Sequence, residues 1–300
     1  MEIIRLLTAS KNHHLYNEHH ISGLMYEYYP EDQILRTAWL NTMAHNEVLL
    51  RYAREMTKNV KNLISLKGVS LLDDIYSDYG KRFMSDIDVL IEKTEVDEAR
   101  KILTELGFKE LKSKKWFGNN FKYEFNKQDK FREVNIEVHT KVLYHEDEAR
   151  LDFIEQNGLK VYGLEDQIVA LIGHLGHSHN FQKLYWLFDI YYYLNKYGEE
   201  IDQEKLLSKI KEKKIVKVYQ ATLYLLKKYF ALPLSFQNKV TKMPYYFLLD
   251  DEFLLNPNQH ELKNYVVKHL LKDSWVLALK YDVLWLKDKL QGSDKVGDKA

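Results

Sequence analysis

Across residues 30–62 the apolar side chains Ile34, Leu35, Ala38, Trp39, Ala44, Val48, Leu49, Ala53, Met56 and Val60 recur at intervals of three and four. That period gathers them on one face of a helix, and the stretch predicts one long helix or two in tandem. Pro30-Glu31-Asp32 suits its start, with a proline and two acids at the positive end. Beyond Asn62 the elements become short. Residues 63–66 predict a brief strand, Lys67-Gly68 a turn, 69–76 a helix packing Leu71, Leu72 and Ile75, and Ser77-Asp78-Tyr79-Gly80 a loop. In Arg82-Phe83-Met84-Ser85-Asp86-Ile87-Asp88-Val89-Leu90-Ile91, a strand reading puts Asp86 and Asp88 on one face and Ile87, Val89 and Ile91 on the other.

The alternation continues further on. A helix over 96–106 is closed by Gly107. Phe121, Tyr123 and Phe125 alternate with polar residues as in a half-buried strand, and Gln128-Asp129-Lys130 marks a hairpin turn. In Val134-Asn135-Ile136-Glu137-Val138-His139, Ile136 and Val138 face the core while Asn135, Glu137 and His139 face the other way. Past Gly158 the helical period returns, predicting helices over 164–178, 184–197, 203–211, 214–230 and 259–290, with Gly292-Ser293-Asp294-Lys295 opening a frayed tail. The pattern is α+β. A small mixed-sheet core over 58–160 follows an N-terminal helical region, 1–57, and precedes a C-terminal helical domain, 161–291, and a flexible tail, 292–300.

Composition narrows what this architecture does. With 45% hydrophobic and 29% charged residues among 300, the chain can bury a substantial core. Its 44 basic and 44 acidic residues cancel, so net charge does not call for a polyanionic partner. The absence of cysteine excludes disulfides, thiolate nucleophiles and thiolate zinc sites. No apolar run reaches the roughly 18 residues of a membrane span, and the first residues are too mixed for a signal peptide. The expectation is a cytoplasmic protein that engages no membrane.

Chemistry concentrates at Asp86, Asp88 and Glu137. Two like charges side by side on a strand repel unless a cation sits between them. With a third carboxylate on a neighbouring strand they can hold two magnesium ions and leave room for phosphate oxygens, an arrangement suited to nucleotidyl transfer. The competing account is two acids on an exposed edge strand. Lys67 and Arg82 are candidate phosphate contacts, Arg82 through a forked pair of hydrogen bonds; Gly68 permits close backbone approach, and the helix start after it offers free amides. Lys67 also reads as an exposed strand-end lysine. His139 shares the face of Glu137, to contact substrate or serve as a structural histidine. His13, His14, His19 and His20 read as solvated surface; His174, His177 and His179 as helix packing and hydrogen bonding to the sheet; the dense tyrosines as core; and the lysines from 209 to 217 as a solvated face.

Taken in order, Leu66-Lys67-Gly68, the short helix to Tyr76, Arg82, Ser85-Asp86-Ile87-Asp88-Val89-Leu90 and Ile136-Glu137-Val138-His139, continuing into Leu164-Glu165-Asp166, His174, His177 and Asp189, resemble the uncharacterised bacterial nucleotidyltransferases of the DNA polymerase beta superfamily. The resemblance covers roughly residues 33–195. It implies a nucleotidyltransferase core in which Asp86, Asp88 and Glu137 are the metal carboxylates, Glu137 doubling as proton acceptor. Lys67, Gly68, Ser70, Arg82, Ser85 and His139 would surround the nucleoside triphosphate, and the acceptor would be a small molecule, a protein or a tRNA. Where many relatives carry Gly-Ser or Gly-Gly after the first strand, this chain has Lys67-Gly68-Val69-Ser70. That departure keeps two alternatives open: a toxin-like transferase of a toxin–antitoxin pair, and a nucleotide-binding module without turnover.

Overall fold

The computed structural model describes residues 1–111, 121–130, 132–143, 145–146, 152–256 and 261–290. The tail expected over 292–300 lies outside them. Three short helices, α1 (Glu2–Thr8), α2 (His13–Glu18) and α3 (Ser22–Met25), lead into α4 (Gln33–Asn59), one uninterrupted helix. Asp32 starts it, its carboxylate accepting from the amides of Ile34 and Leu35, which the first helical turn leaves without intrahelical partners.

The middle of the chain alternates: β1 (Ile64–Ser65), α5 (Lys67–Ile75), β2 (Ile87–Leu90), α6 (Val96–Glu105), β3 (Lys109–Glu110), β4 (Lys122–Asp129), β5 (Arg132–His139), β6 (Phe153–Gln156) and β7 (Leu159–Tyr162). The seven strands form one mixed sheet in the order β3-β4-β5-β2-β1-β7-β6. Strand β2 runs parallel to β5 and antiparallel to β1, and β1 is parallel to β7. Gly107, at φ +84°, closes α6 in the left-handed conformation that costs glycine least.

The remaining helices are α7 (Leu164–Gly173), α8 (Leu184–Tyr197), α9 (Gln203–Glu212), α10 (Val216–Tyr229), α11 (Leu234–Gln237), α12 (Asp251–Leu255), α13 (Glu261–Leu270) and α14 (Trp275–Leu290). Two predicted helices are corrected. The one expected over 164–178 stops at Gly173 and continues as a π-helical turn, His174–Ser178. The one expected over 259–290 is two, broken where Asp273 accepts hydrogen bonds from the amides of Val216 and Lys217 and so caps the start of α10.

Ile87, Val89, Ile91, Phe125, Val134, Ile136 and Val138 lie on one face of the sheet and pack with Leu49, Ala53 and Met56 of α4 and Leu103 of α6. A second core joins Ile3, Leu7 and Tyr16 to helices α7 to α13 through residues such as Ile172, Leu187, Leu226 and Phe253. His19 belongs to this interior, which corrects its reading as solvated surface. It is 1% exposed, receives the Leu184 amide on Nδ1 at 3.2 Å, and lies with Nε2 3.0 Å from the Leu255 carbonyl. His20 stacks on Phe83 at 4.7 Å. Among the described residues no helix is long and apolar enough to cross a membrane.

Candidate active site

The second face of the sheet forms the floor of a cleft. Asp88 pairs directly with Glu137 across the parallel β2–β5 ladder. Directly paired residues on adjacent strands share a face, so both carboxylates point away from the apolar core, and Asp86, two residues before Asp88, borders the same space. The π-turn, the start of α8 and Lys268 of α13 supply the opposite wall of a cavity of about 400 Å³. Lys67, Gly68, Arg82, Ser85, Asp86, Asp88, Glu137 and His139 all line it.

The carboxylates are set among cations. Lys67 Nζ is 2.7 Å from Asp88 Oδ1, and His139 Nε2 lies 2.8 Å from the same oxygen and 3.3 Å from Glu137 Oε2. Lys122 reaches Glu137 Oε1 at 2.7 Å and Glu124 at 2.8 Å. Burial acts to raise the Asp88 and Glu137 carboxyls, but Lys67 and His139, joined at Glu137 by Lys122, outweigh it and hold both below the usual carboxylate range. Asp86 has no such contact. Burial and the neighbouring charges of Asp88 and Glu137 push its carboxyl up to about 7, although Lys67 and Ser85 pull it the other way. Of the three carboxyls, Asp86 is therefore the one that most readily takes up a proton.

This donor set fits a divalent cation. Asp88, Glu137 and His139 each offer a ligand atom, all within 4.8 Å of one another, and Asp86 borders the same cavity.

The turn below the floor is unusual. Lys67 has φ +51° at the first residue of α5, a left-handed conformation that side-chain-bearing residues seldom adopt. It directs the lysine to Asp88. Helix α5 thus begins two residues earlier than its sequence suggests, and Ser70 falls one turn in. The Ser70 hydroxyl donates to the Lys67 carbonyl at 2.7 Å and accepts from Gln167 Nε2 at 2.5 Å. Ser70 therefore braces the turn and is absent from the cavity lining, a correction to its expected place at the nucleotide. Gly68 is packed closely: a β-carbon there would lie 2.8 Å from Met84 Sδ and 2.9 Å from Arg82 Nη1.

Arg82 also departs from expectation, because its fork is already engaged. It is 4% exposed and donates through Nη2 and Nε to Asp189 at 2.7 and 3.1 Å, while Tyr76 donates to the same carboxylate at 2.6 Å. The guanidinium lies 4.6 Å from the Tyr185 ring centroid. The pair ties the segment before β2 to α8. Sequence reasoning missed Lys122 and the roof residues Tyr185 and Trp186. The phase of β4 was the available signal for Lys122, since Tyr123 and Phe125 leave it on the opposite side.

The mixed sheet thus presents paired carboxylates to a helix-roofed cleft. The chain belongs to the family described as "Uncharacterised nucleotidyltransferase", whose profile matches residues 8–231. No curated protein matches it. Among solved structures, JHP933 from Helicobacter pylori aligns over 81% of this chain and 97% of its own, at 14% identity and a TM-score of 0.34, a likeness too loose to carry any inference.

Proposed function

We propose that the protein is a magnesium-dependent nucleotidyltransferase that moves a nucleoside monophosphate from a triphosphate to a hydroxyl of an acceptor. The observation that carries this reading is the in-register pair Asp88 and Glu137 with Asp86 beside it, facing one cavity. Asp86, Asp88 and Glu137 would hold the metal, with His139 orienting Asp88. Bound magnesium, as two ions, supplies charge neutralisation for the triphosphate and the departing pyrophosphate. The acceptor oxygen attacks the α-phosphorus, the bond to the bridging oxygen breaks, and the acceptor's proton passes to a carboxylate. Glu137, facing the same cavity from β5, is placed to take that proton. Lys67 and Lys122 stand close enough to the floor to meet phosphate oxygens.

Incubation with each α-labelled triphosphate and a cell lysate tests the reading, with label expected on a protein, RNA or small molecule. Asp86→Asn is expected to fold normally and to lose at least about a hundredfold in transfer. Full transfer by the purified variant would refute the assignment. The ammonium of Lys67 on Asp88 favours a second reading, a nucleotide-binding module without turnover. Metal-dependent triphosphate binding by the wild type, with no label on any acceptor, would support it.

A further inference from the structure

The cavity has two chemically distinct halves. Its floor is ionic; its roof is aromatic and carries the imidazoles of His174, His177 and His179. Trp186 and His179 lie 4.1 Å apart between ring centroids at 34°, and His174 meets both, at 4.3 Å from His179 and 5.1 Å from Trp186. Burial and the nearby charge of Lys67 keep His174 and His179 unprotonated at neutral pH, the latter titrating at about 3. The ring cluster therefore offers ring faces and neutral polar edges, while Lys268 of α13 lines the cavity beyond it.

The backbone beneath it is held in conformations that side-chain-bearing residues rarely take. His174–Ser178 is a π-turn, and Asn180 and Phe181 follow at φ +45° and +61°. π-Turns and left-handed non-glycine residues are costly and gather where function positions a side chain. Here they set His174 and His179 against Trp186 inside the cavity.

We infer that this roof, centred on His179 and Trp186, is a stacking site for the planar heterocycle of the nucleoside triphosphate, with the phosphates directed to the lysines of the floor. The inference rests on the nucleotide-binding reading above. A phosphate tail matches Lys67 and Lys122, which leaves the base to the uncharged rings. Stacking reads a π face and not a hydrogen-bond code, so affinity is expected to depend weakly on which base is present.

The test is calorimetric titration, with magnesium, of ATP, UTP and inorganic tripolyphosphate into wild type, His179→Ala and Trp186→Leu. Wild type is expected to bind both nucleotides roughly tenfold or more tighter than tripolyphosphate, the range of stacking one base on an aromatic side chain. The variants are expected to lose that preference and keep their tripolyphosphate affinity. Because His179 is less buried than Trp186, His179→Ala preserves the test if Trp186→Leu fails to fold. Retention of the nucleotide preference in folded His179→Ala overturns the stacking site while leaving nucleotide binding intact. Failure of wild type to bind any of the three ligands overturns both.

Discussion

At the scale of single residues, Lys67 decides the state of the site. Its left-handed backbone is braced from the helical side through Ser70 and Gln167, and its ammonium neutralises Asp88, so one residue both shapes the turn and supplies charge. A lysine already paired with a metal carboxylate competes with the metal. Lys67→Met keeps the side-chain length and removes the competitor. In metal-free buffer it is expected to lower stability by about 1–3 kcal/mol, the cost of leaving a buried acceptor short of a partner. Magnesium should then raise the urea midpoint more in the variant than in wild type. Equal magnesium responses would show that Lys67 does not compete.

At the scale of elements, the π-turn is pinned from behind. A β-carbon on Gly176 would lie 2.1 Å from Val218 Cγ1, and Val218 of α10 is fully buried, so there is little room to yield. Gly176→Ala is expected to lose about 1–3 kcal/mol in denaturant unfolding, as other overpacked interiors do; an unchanged midpoint would mean that α10 can move away. The π-turn also shows where the sequence stops being legible. Period-two alternation put Asp88 and Glu137 on one face because strand geometry is local, and it placed Ile87, Val89, Ile136 and Val138 on the opposite face correctly, while Asp86 lies in the bend just before β2. The β6–β7 hairpin was equally local, with Asn157 and Gly158 at φ +52° and +77° in its turn, yet the Asn-Gly signal went unread. What no local pattern contains is the engagement of Arg82 by Asp189, 107 residues away, or the division of the last helix by Asp273, which caps a helix 57 residues earlier. Both are set by tertiary packing, which overrides a periodicity that is otherwise continuous.

At the scale of the whole molecule, burial lowers seven imidazoles among the described residues, those of His45 and His145 included. Burial lowers His19 and His20 to about 4 and His179 to about 3, and carries His174 and His177 well below the ordinary value. For His19 the geometry agrees, because a proton on Nδ1 would face the Leu184 amide, donor against donor. Between about pH 6.5 and 4 the unfolded chain takes up protons that the folded chain refuses, and stability falls as pH falls. Asp86, raised to about 7, and His139, raised by its hydrogen bonds to Asp88 and Glu137 against its own burial, work in the opposite sense but are fewer. Urea midpoints at pH 7.5, 6.5 and 5.5 are expected to decline in that order; a flat or rising series would show that the histidines titrate as in water. His19 has one more consequence, which concerns time. Its carbonyl partner at Leu255 is 236 residues further along the chain, and Ile3, Leu7 and Tyr16 share a core with helices α7 to α13. At roughly 5–20 residues per second of synthesis, the first helices wait on the order of 10–50 s for the surfaces that bury them. Through that interval these helices carry uncovered apolar side chains, and the core they complete closes only after the residues around Leu255 have been made.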